Sequence, residues 1–88
     1  RVIQEIPGVA GCVVFGIPDR RLGQRVVAAV EPEPGASLGG DDIRGYLVPR
    51  LARYKVPERI ELVAKLPRNA MSKVLKRELV ALFGSHES

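Results

Sequence analysis

Cysteine, histidine and aromatic residues are scarce in this sequence, and their scarcity excludes several kinds of site. Cys12 and His86 are the only residues of their types among 88, and aromatic residues make up 5%. A single cysteine rules out a disulfide framework and a multi-cysteine metal site. We expect Cys12 to be a small buried hydrophobic residue. His86 lies in the tail, where we expect it to be solvated, so no Ser/His/Asp or Cys/His catalytic group is available.

Long hydrophobic runs are also absent. No uninterrupted apolar segment approaches the ~20 residues that a transmembrane helix needs, and nothing near the N-terminus resembles a secretory signal. The chain begins with Arg1 instead of methionine, so we expect it to be a piece of a longer protein. Because a lone cysteine fits a reducing compartment, we expect a cytoplasmic location. The hydrophobic fraction of 45% indicates one small globular domain with a thin aliphatic core.

Charge points to the kind of partner. Basic residues outnumber acidic ones by 14 to 10, which gives a net charge of +4. This favours an anionic partner, whether nucleic acid, phosphate or an acidic surface. Tyr54 is the only aromatic residue amid the basic residues between Arg50 and Arg77, so the stacking platform of a single-strand nucleic-acid binder is missing. Neither a phosphate-binding glycine loop nor a dinucleotide fingerprint occurs. The alternative to an anion-binding surface is that the basic residues form an ordinary solvated face.

The hydrophobic pattern predicts a small α+β domain. Three apolar or alternating runs predict strands at residues 11–17, 24–31 and 59–64. The short connection between the first two predicts an antiparallel hairpin, and the third strand follows a crossover that makes it parallel to the second. Helices are predicted at the remaining periodic segments, which are 41–53, 74–83 and a last helical turn at 1–6. Pro49 should kink the first of these or divide it into two pieces.

Lys73 is the best single candidate for chemistry. It lies in the segment LPRNAMSKVLKREL, residues 66–79, at the predicted start of the last helix. A cation is unfavourable at a helix N-terminus, so a lysine at this position indicates a role other than stabilising the helix. Ser72 could cap the helix, and free backbone N–H groups beside an ammonium would form an anion site. The competing interpretation is an ordinary surface lysine on a solvated helix.

Four segments together resemble the C-terminal domain of AMP-forming acyl-CoA synthetases, a superfamily that includes luciferases and peptide-synthetase adenylation domains. The resemblance covers nearly the whole chain. In order and at family spacing, the segments are VFGIPD (14–19), LGQRVVA (22–28), LARYKVP (51–57) and LPRNAMSKV (66–74), the last followed by a basic LKREL run. Each is a modest signal by itself, and the four together are a strong one.

The resemblance implies a catalytic role for Lys73 in a two-step reaction. A carboxylic acid is first joined to ATP, giving acyl-AMP and pyrophosphate, and the acyl group then passes to the thiol of CoA. The setting it implies is fatty acid metabolism. It also implies a large N-terminal domain, preceding Arg1, that binds ATP with Mg²⁺ and on which residues 1–88 close as a mobile lid. We expect no metal site in this chain, no nucleic-acid partner and no transmembrane segment.

The resemblance also implies a second face for CoA, which includes Tyr54, Lys55 and Arg25. The chain departs from the family at Ser72, where glycine is usual. Serine is strained there if the backbone needs a positive φ, and it can cap the helix if the geometry is ordinary. Two alternatives stay open: the lid of an acyl-AMP ligase that loads a carrier protein, and, from another class, a small basic nucleic-acid-binding module. The sequence names neither the acyl substrate, the oligomeric state nor the organism.

Overall fold

The computed structural model describes residues 2–21 and 23–84, which form a three-stranded sheet between helices. The strands are β1 (Val9–Asp19), β2 (Gly23–Pro32) and β3 (Arg59–Leu62). The helices are α1 (Gly40–Leu47) and α2 (Lys76–Gly84), and two 3-10 turns cover Ile3–Glu5 and Arg53–Lys55.

The strand order is β1-β2-β3, with β2 in the centre. β1 and β2 form an antiparallel hairpin in which Cys12 pairs with Val30 and Asp19 with Gly23. β3 runs parallel to β2, and Val27 pairs with Arg59. Parallel neighbours need a crossover, and α1 lies in the segment that makes it. The predicted α+β fold, a hairpin plus a crossover strand, is confirmed.

The sheet separates two small cores because successive strand side chains point to opposite faces. One face carries the α1-side core, made of Ile3, Ile6, Ala28, Val30, Ile43 and Leu47. The other carries the α2-side core, made of Phe15, Ile17, Val27, Ala29, Leu66 and Leu79. The central strand contributes to both, which explains why its apolar run is continuous rather than alternating.

The first helix is shorter than predicted. It ends at Leu47 instead of continuing to residue 53, because Pro49 has no N–H to donate and its ring crowds the preceding turn. A separate 3-10 turn at Arg53–Lys55 follows, so the division into two pieces is confirmed. At the other end, the carboxylate of Asp42 accepts the N–H of Gly39 at 2.8 Å, which satisfies a backbone donor before the helix.

Two other predicted elements differ in detail from the structure. The N-terminal segment forms a 3-10 turn at Ile3–Glu5 instead of an α-helical turn, and it ends before Gly8, whose φ is 95°. Arg1 and His86 lie outside the described residues. β3 ends at Leu62, two residues early. Within residues 2–21 and 23–84, no helix is long and apolar enough to cross a membrane.

Candidate functional site

The last polar segment of the chain folds as a tight hairpin. Arg68 and Val74 form an antiparallel bridge, and the N–H of Leu75 donates to the carbonyl of Pro67 at 2.9 Å. Between them lies the lysine loop, residues 69–73. This hairpin uses the backbone of residues 74 and 75, so α2 begins at Lys76 and not at residue 74 as predicted.

Ser72 takes the left-handed position of this loop. Its N–H donates to the carbonyl of Asn69 at 2.9 Å, and its φ is 66°, the only positive φ of a non-glycine residue in the described part of the chain. A β-turn followed by a left-handed residue is typical of three-residue hairpin loops, where glycine is preferred. Serine is therefore strained here by roughly 1 kcal/mol. The predicted helix cap is wrong, since Ser72 lies four positions before α2.

Asn69 forms the hydrogen bonds that hold the backbone of Lys73. The Asn69 side-chain oxygen Oδ1 accepts the N–H of Met71 at 2.8 Å and the N–H of Lys73 at 3.0 Å. The N–H of Asn69 in turn donates to the carbonyl of Lys73 at 2.9 Å. The predicted anion site made of free N–H groups at a helix start is therefore wrong, because the Lys73 N–H already has an acceptor. What Lys73 offers is its exposed side chain on a fixed backbone.

The lysine loop is tied to one end of the sheet. Arg68 Nη1 donates to the carbonyl of Ser72 at 2.8 Å. A Cβ atom added at Gly11 would lie 3.1 Å from Arg68 Nη2, so glycine allows this arginine to pass close to β1. The N–H of buried Leu66 donates to Glu31 Oε1 at 2.9 Å. The loop thus stands where β1 begins and β2 ends.

The surface beside the loop is concave and basic. A depression of about 520 Å³ is lined by Asn69, Lys73, Val74, Leu75, Lys76 and Arg77. Three of these residues are cations, and all three are exposed. A concavity with one sign of charge attracts an anion of suitable size. The same cations make it a poor place for a metal ion, and no group of three or more metal-ligating side chains occurs within the described ranges.

Arg25 lies at the opposite end of β2. It pairs with Ile17, and its Nε stands 3.5 Å from Asp19 Oδ2 in a partly exposed ion pair. Strand alternation places it on the face that α2 covers, together with Val27. Arg25 and Glu31 are six positions apart on the strand, which corresponds to about 20 Å. Arg25 is therefore far from the lysine loop.

Tyr54 and Lys55 form part of the 3-10 turn that leads into β3. The Tyr54 side chain is 83% exposed, and Lys55 Nζ lies 5.9 Å from the centre of its ring. The side-chain oxygen Oε1 of nearby Glu58 accepts the N–H of Val26, and the backbone N–H of Glu58 donates to the carbonyl of Val26, both at 3.0 Å. These bonds fix the turn near the start of β2. The structure thus brings Tyr54 and Lys55 together, at the same end of the sheet as Arg25 and away from Lys73.

Residues 1–73 match the family model of the AMP-binding enzyme C-terminal domain, which covers most of the chain and ends at Lys73. The chain belongs to this family. A fatty acid–[acyl-carrier-protein] ligase from Streptomyces coeruleorubidus is 45% identical to it over 78 residues, which are 89% of this chain and 15% of that protein. A feruloyl-CoA synthase from an Amycolatopsis species is 42% identical over 89% of this chain and 16% of that protein.

The fold of this AMP-binding C-terminal domain is shared with solved synthetases. A Mycobacterium tuberculosis fatty acyl CoA synthetase superposes with a TM-score of 0.87 at 33% identity, over 97% of this chain and 17% of that one. The chain therefore spans about one sixth of the length of such relatives. The three are named as a ligase, a synthase and a synthetase, which gives no support to the alternative of a nucleic-acid-binding module.

Two residues of this AMP-binding C-terminal domain were missed by sequence reasoning as parts of the site. The sequence pattern gives Arg68 no role beyond its positive charge and gives Asn69 none. A signal for Asn69 was present, because asparagine side chains commonly accept backbone N–H groups two residues on, in turns. The bond from Arg68 to Ser72 has no comparable sequence signal, since it depends on the hairpin that brings the two residues together.

Proposed function

We propose that this chain is the C-terminal lid domain of an AMP-forming acyl-CoA synthetase. In this proposal a large N-terminal domain of the same polypeptide binds ATP, a carboxylic acid and Mg²⁺, and the enzyme works in the cytoplasm. Support comes from the family to which the chain belongs and from relatives in which the matching region is only 15–17% of the length. We assign the metal to the large domain because Mg²⁺ in such enzymes accompanies the phosphates of ATP.

The first half-reaction needs a mobile cation, and Lys73 fits that need. A carboxylate oxygen must attack the α-phosphorus of ATP while pyrophosphate leaves, although both reactants are anions. An ammonium held beside the reacting oxygens offsets this repulsion and the charge that develops in the transition state. The observation that carries the proposal is the exposed Lys73 side chain on a backbone fixed by Asn69. A compact ammonium on a flexible stem can reach across to a second domain.

The second half-reaction requires a different surface. The thiol of CoA attacks the acyl carbonyl carbon, the bond to the phosphate oxygen breaks, and AMP leaves. We assign the contact with CoA to the end of the sheet that carries Tyr54, Lys55 and Arg25. Because this end is about 20 Å along β2 from the lysine loop, one active site would meet the two surfaces in turn. A rotation of the lid between the half-reactions would achieve this.

The test measures the two half-reactions separately in the full-length enzyme. Lys73→Ala should slow ATP–pyrophosphate exchange by about 10²–10³ and largely spare thioester formation from supplied acyl-AMP. Lys73→Arg should restore little, because a planar guanidinium does not replace a point charge. Lys76→Ala, which removes a neighbouring exposed cation, is the matched control and should have a small effect. Exchange at the parental rate in Lys73→Ala, or equal damage in Lys76→Ala, would show that Lys73 is only a surface charge.

The thiol acceptor is tested in the same enzyme. CoA and a phosphopantetheinylated carrier protein are each supplied with preformed acyl-AMP, and the rates of thioester formation are compared. We expect faster transfer to CoA. Faster transfer to the carrier protein would reassign the chain to the ligases that load such proteins, as one relative is named to do.

A further inference from the structure

Asn69 is the residue that holds Lys73 from both sides of its backbone. Its side-chain Oδ1 accepts the Lys73 N–H at 3.0 Å, and its own N–H donates to the Lys73 carbonyl at 2.9 Å. The same Oδ1 accepts the N–H of Met71 at 2.8 Å. One amide oxygen therefore closes the loop across its interior.

We propose that Asn69 is a positioning residue for Lys73, acting in acyl-adenylate formation only. This inference rests on the proposed catalytic role of Lys73. Asn69 itself needs no contact with ATP or the acid. Its role is to fix the direction in which the lysine stem leaves the loop, so that the ammonium reaches the reacting oxygens when the lid closes.

The strain at Ser72 explains why the loop needs this restraint. A serine with φ at 66° is held in a conformation that its side chain disfavours, and the Lys73 N–H comes directly after it. Arg68 holds the carbonyl of Ser72 at 2.8 Å, which fixes the residue on one side. Without the Asn69 oxygen, the peptide between Ser72 and Lys73 would lose its partner on the other side. The loop could then relax, and the lysine would be displaced.

A displacement of this kind affects rate more than binding. Misplacing a catalytic group by about 1 Å can cost up to ~10² in rate. The charge of Lys73 is retained, so attraction of the anionic substrates is preserved. Loss of the Asn69 oxygen should therefore lower kcat of adenylation and leave the KM values for ATP and the acid nearly unchanged. The thioester half-reaction, which we assign to the opposite end of the sheet, should be unaffected.

The experiment is a double-mutant cycle in the full-length enzyme, with both half-reactions measured. Asn69→Ala should lower kcat for adenylation by about 10- to 100-fold. Asn69→Asp keeps an acceptor oxygen at the same place and should recover most of that rate. Met71→Ala is the control for general disturbance of the loop, because the Met71 side chain is 87% exposed, and it should be near the parental rate. In the Lys73→Ala background, Asn69→Ala should cause little further loss, since its effect passes through the lysine.

Each result has a definite meaning. The inference is wrong if Asn69→Ala adenylates at the parental rate, if it costs as much in the Lys73→Ala background, or if it slows thioester formation equally. It is also wrong if the loss lies in KM alone or if Asn69→Asp recovers nothing. The Lys73→Ala variant separates this inference from the proposed function. A large loss there with none in Asn69→Ala overturns only the positioning role, and no loss in Lys73→Ala overturns both.

Discussion

Ser72 shows how a single residue can be recognised as unusual in a sequence while its effect depends on backbone geometry. The segment LPRNAMSKV predicts a catalytic lysine by resemblance, and it identifies Ser72 as a replacement for glycine. The effect of this serine depends on whether the position needs a positive φ, and the φ of 66° shows that it does. Sequence could not supply the answer, because the angle follows from the bridge between Arg68 and Val74, which sets the length of the loop.

Replacing this serine by glycine should therefore stabilise the domain. Ser72→Gly removes the steric cost of the left-handed conformation, and part of that gain is offset by the greater freedom of glycine in the unfolded chain. We expect the free energy of unfolding to rise by about 0.5–1 kcal/mol, measured by urea unfolding followed by circular dichroism. Ser37→Gly, at an exposed loop position without a positive φ, is the control and should be neutral or slightly destabilising. A loss of stability in Ser72→Gly would contradict the strain.

At the scale of elements, the sheet and the interruption of the first helix at Pro49 were predictable, and the start of the second helix was not. Two apolar runs joined by a short loop predict the β1–β2 hairpin, and the continuous run in β2 follows from burial on both faces. The ends of α1 and α2 depended on other interactions. Pro49 ends the first helix early, as its position in the sequence predicts, whereas the hairpin before Lys76, which delays the second helix, has no such signal. Hydrophobic periodicity indicates which face of a helix is buried, and by itself it does not indicate where such interruptions end the helix.

Helix α2 should contribute to stability chiefly through Leu79. This side chain is 1% exposed within the α2-side core, whereas Leu82, on the same helix, is 55% exposed. Leu79→Ala leaves a cavity between the helix and the sheet, so we expect a loss of about 2–5 kcal/mol in the free energy of unfolding. Leu82→Ala should cost less than about 1 kcal/mol. Equal losses in urea unfolding would mean that the helix is not held against the sheet by this core.

At the scale of the whole molecule, the proposed function assigns two surfaces to residues 2–21 and 23–84 and leaves the rest of the active site to the large domain. The lysine loop and the Tyr54–Lys55 turn lie at opposite ends of one sheet. The resemblance alone did not predict this separation. We predict that the isolated chain has no synthetase activity, because a lid supplied separately lacks the high effective concentration of a tethered domain. Turnover of ATP and a fatty acid by the purified 88-residue chain would contradict this.

The two-surface arrangement predicts that damage at each end affects one half-reaction only. Lys55→Glu should raise the apparent KM for CoA by about two- to fivefold, since an exposed charge contributes up to ~1 kcal/mol to attraction of the CoA phosphates. Adenylation should be unchanged, because the turn that carries Lys55 leads to the start of β2, whereas the lysine loop stands beside its end.

Lys55 is a cleaner test than Arg25. A glutamate at position 25 would also face Asp19, the present ion-pair partner of the arginine, so any effect would mix loss of CoA contact with local repulsion. Lys65→Glu, a reversal of equal charge at another exposed lysine, controls for the change in net charge. If Lys55→Glu and Lys65→Glu raise the KM for CoA alike, the effect comes from the change in the net charge of the domain, and the turn at Arg53–Lys55 is not the CoA surface. If Lys55→Glu slows ATP–pyrophosphate exchange instead, the two ends of the sheet do not divide the two steps between them.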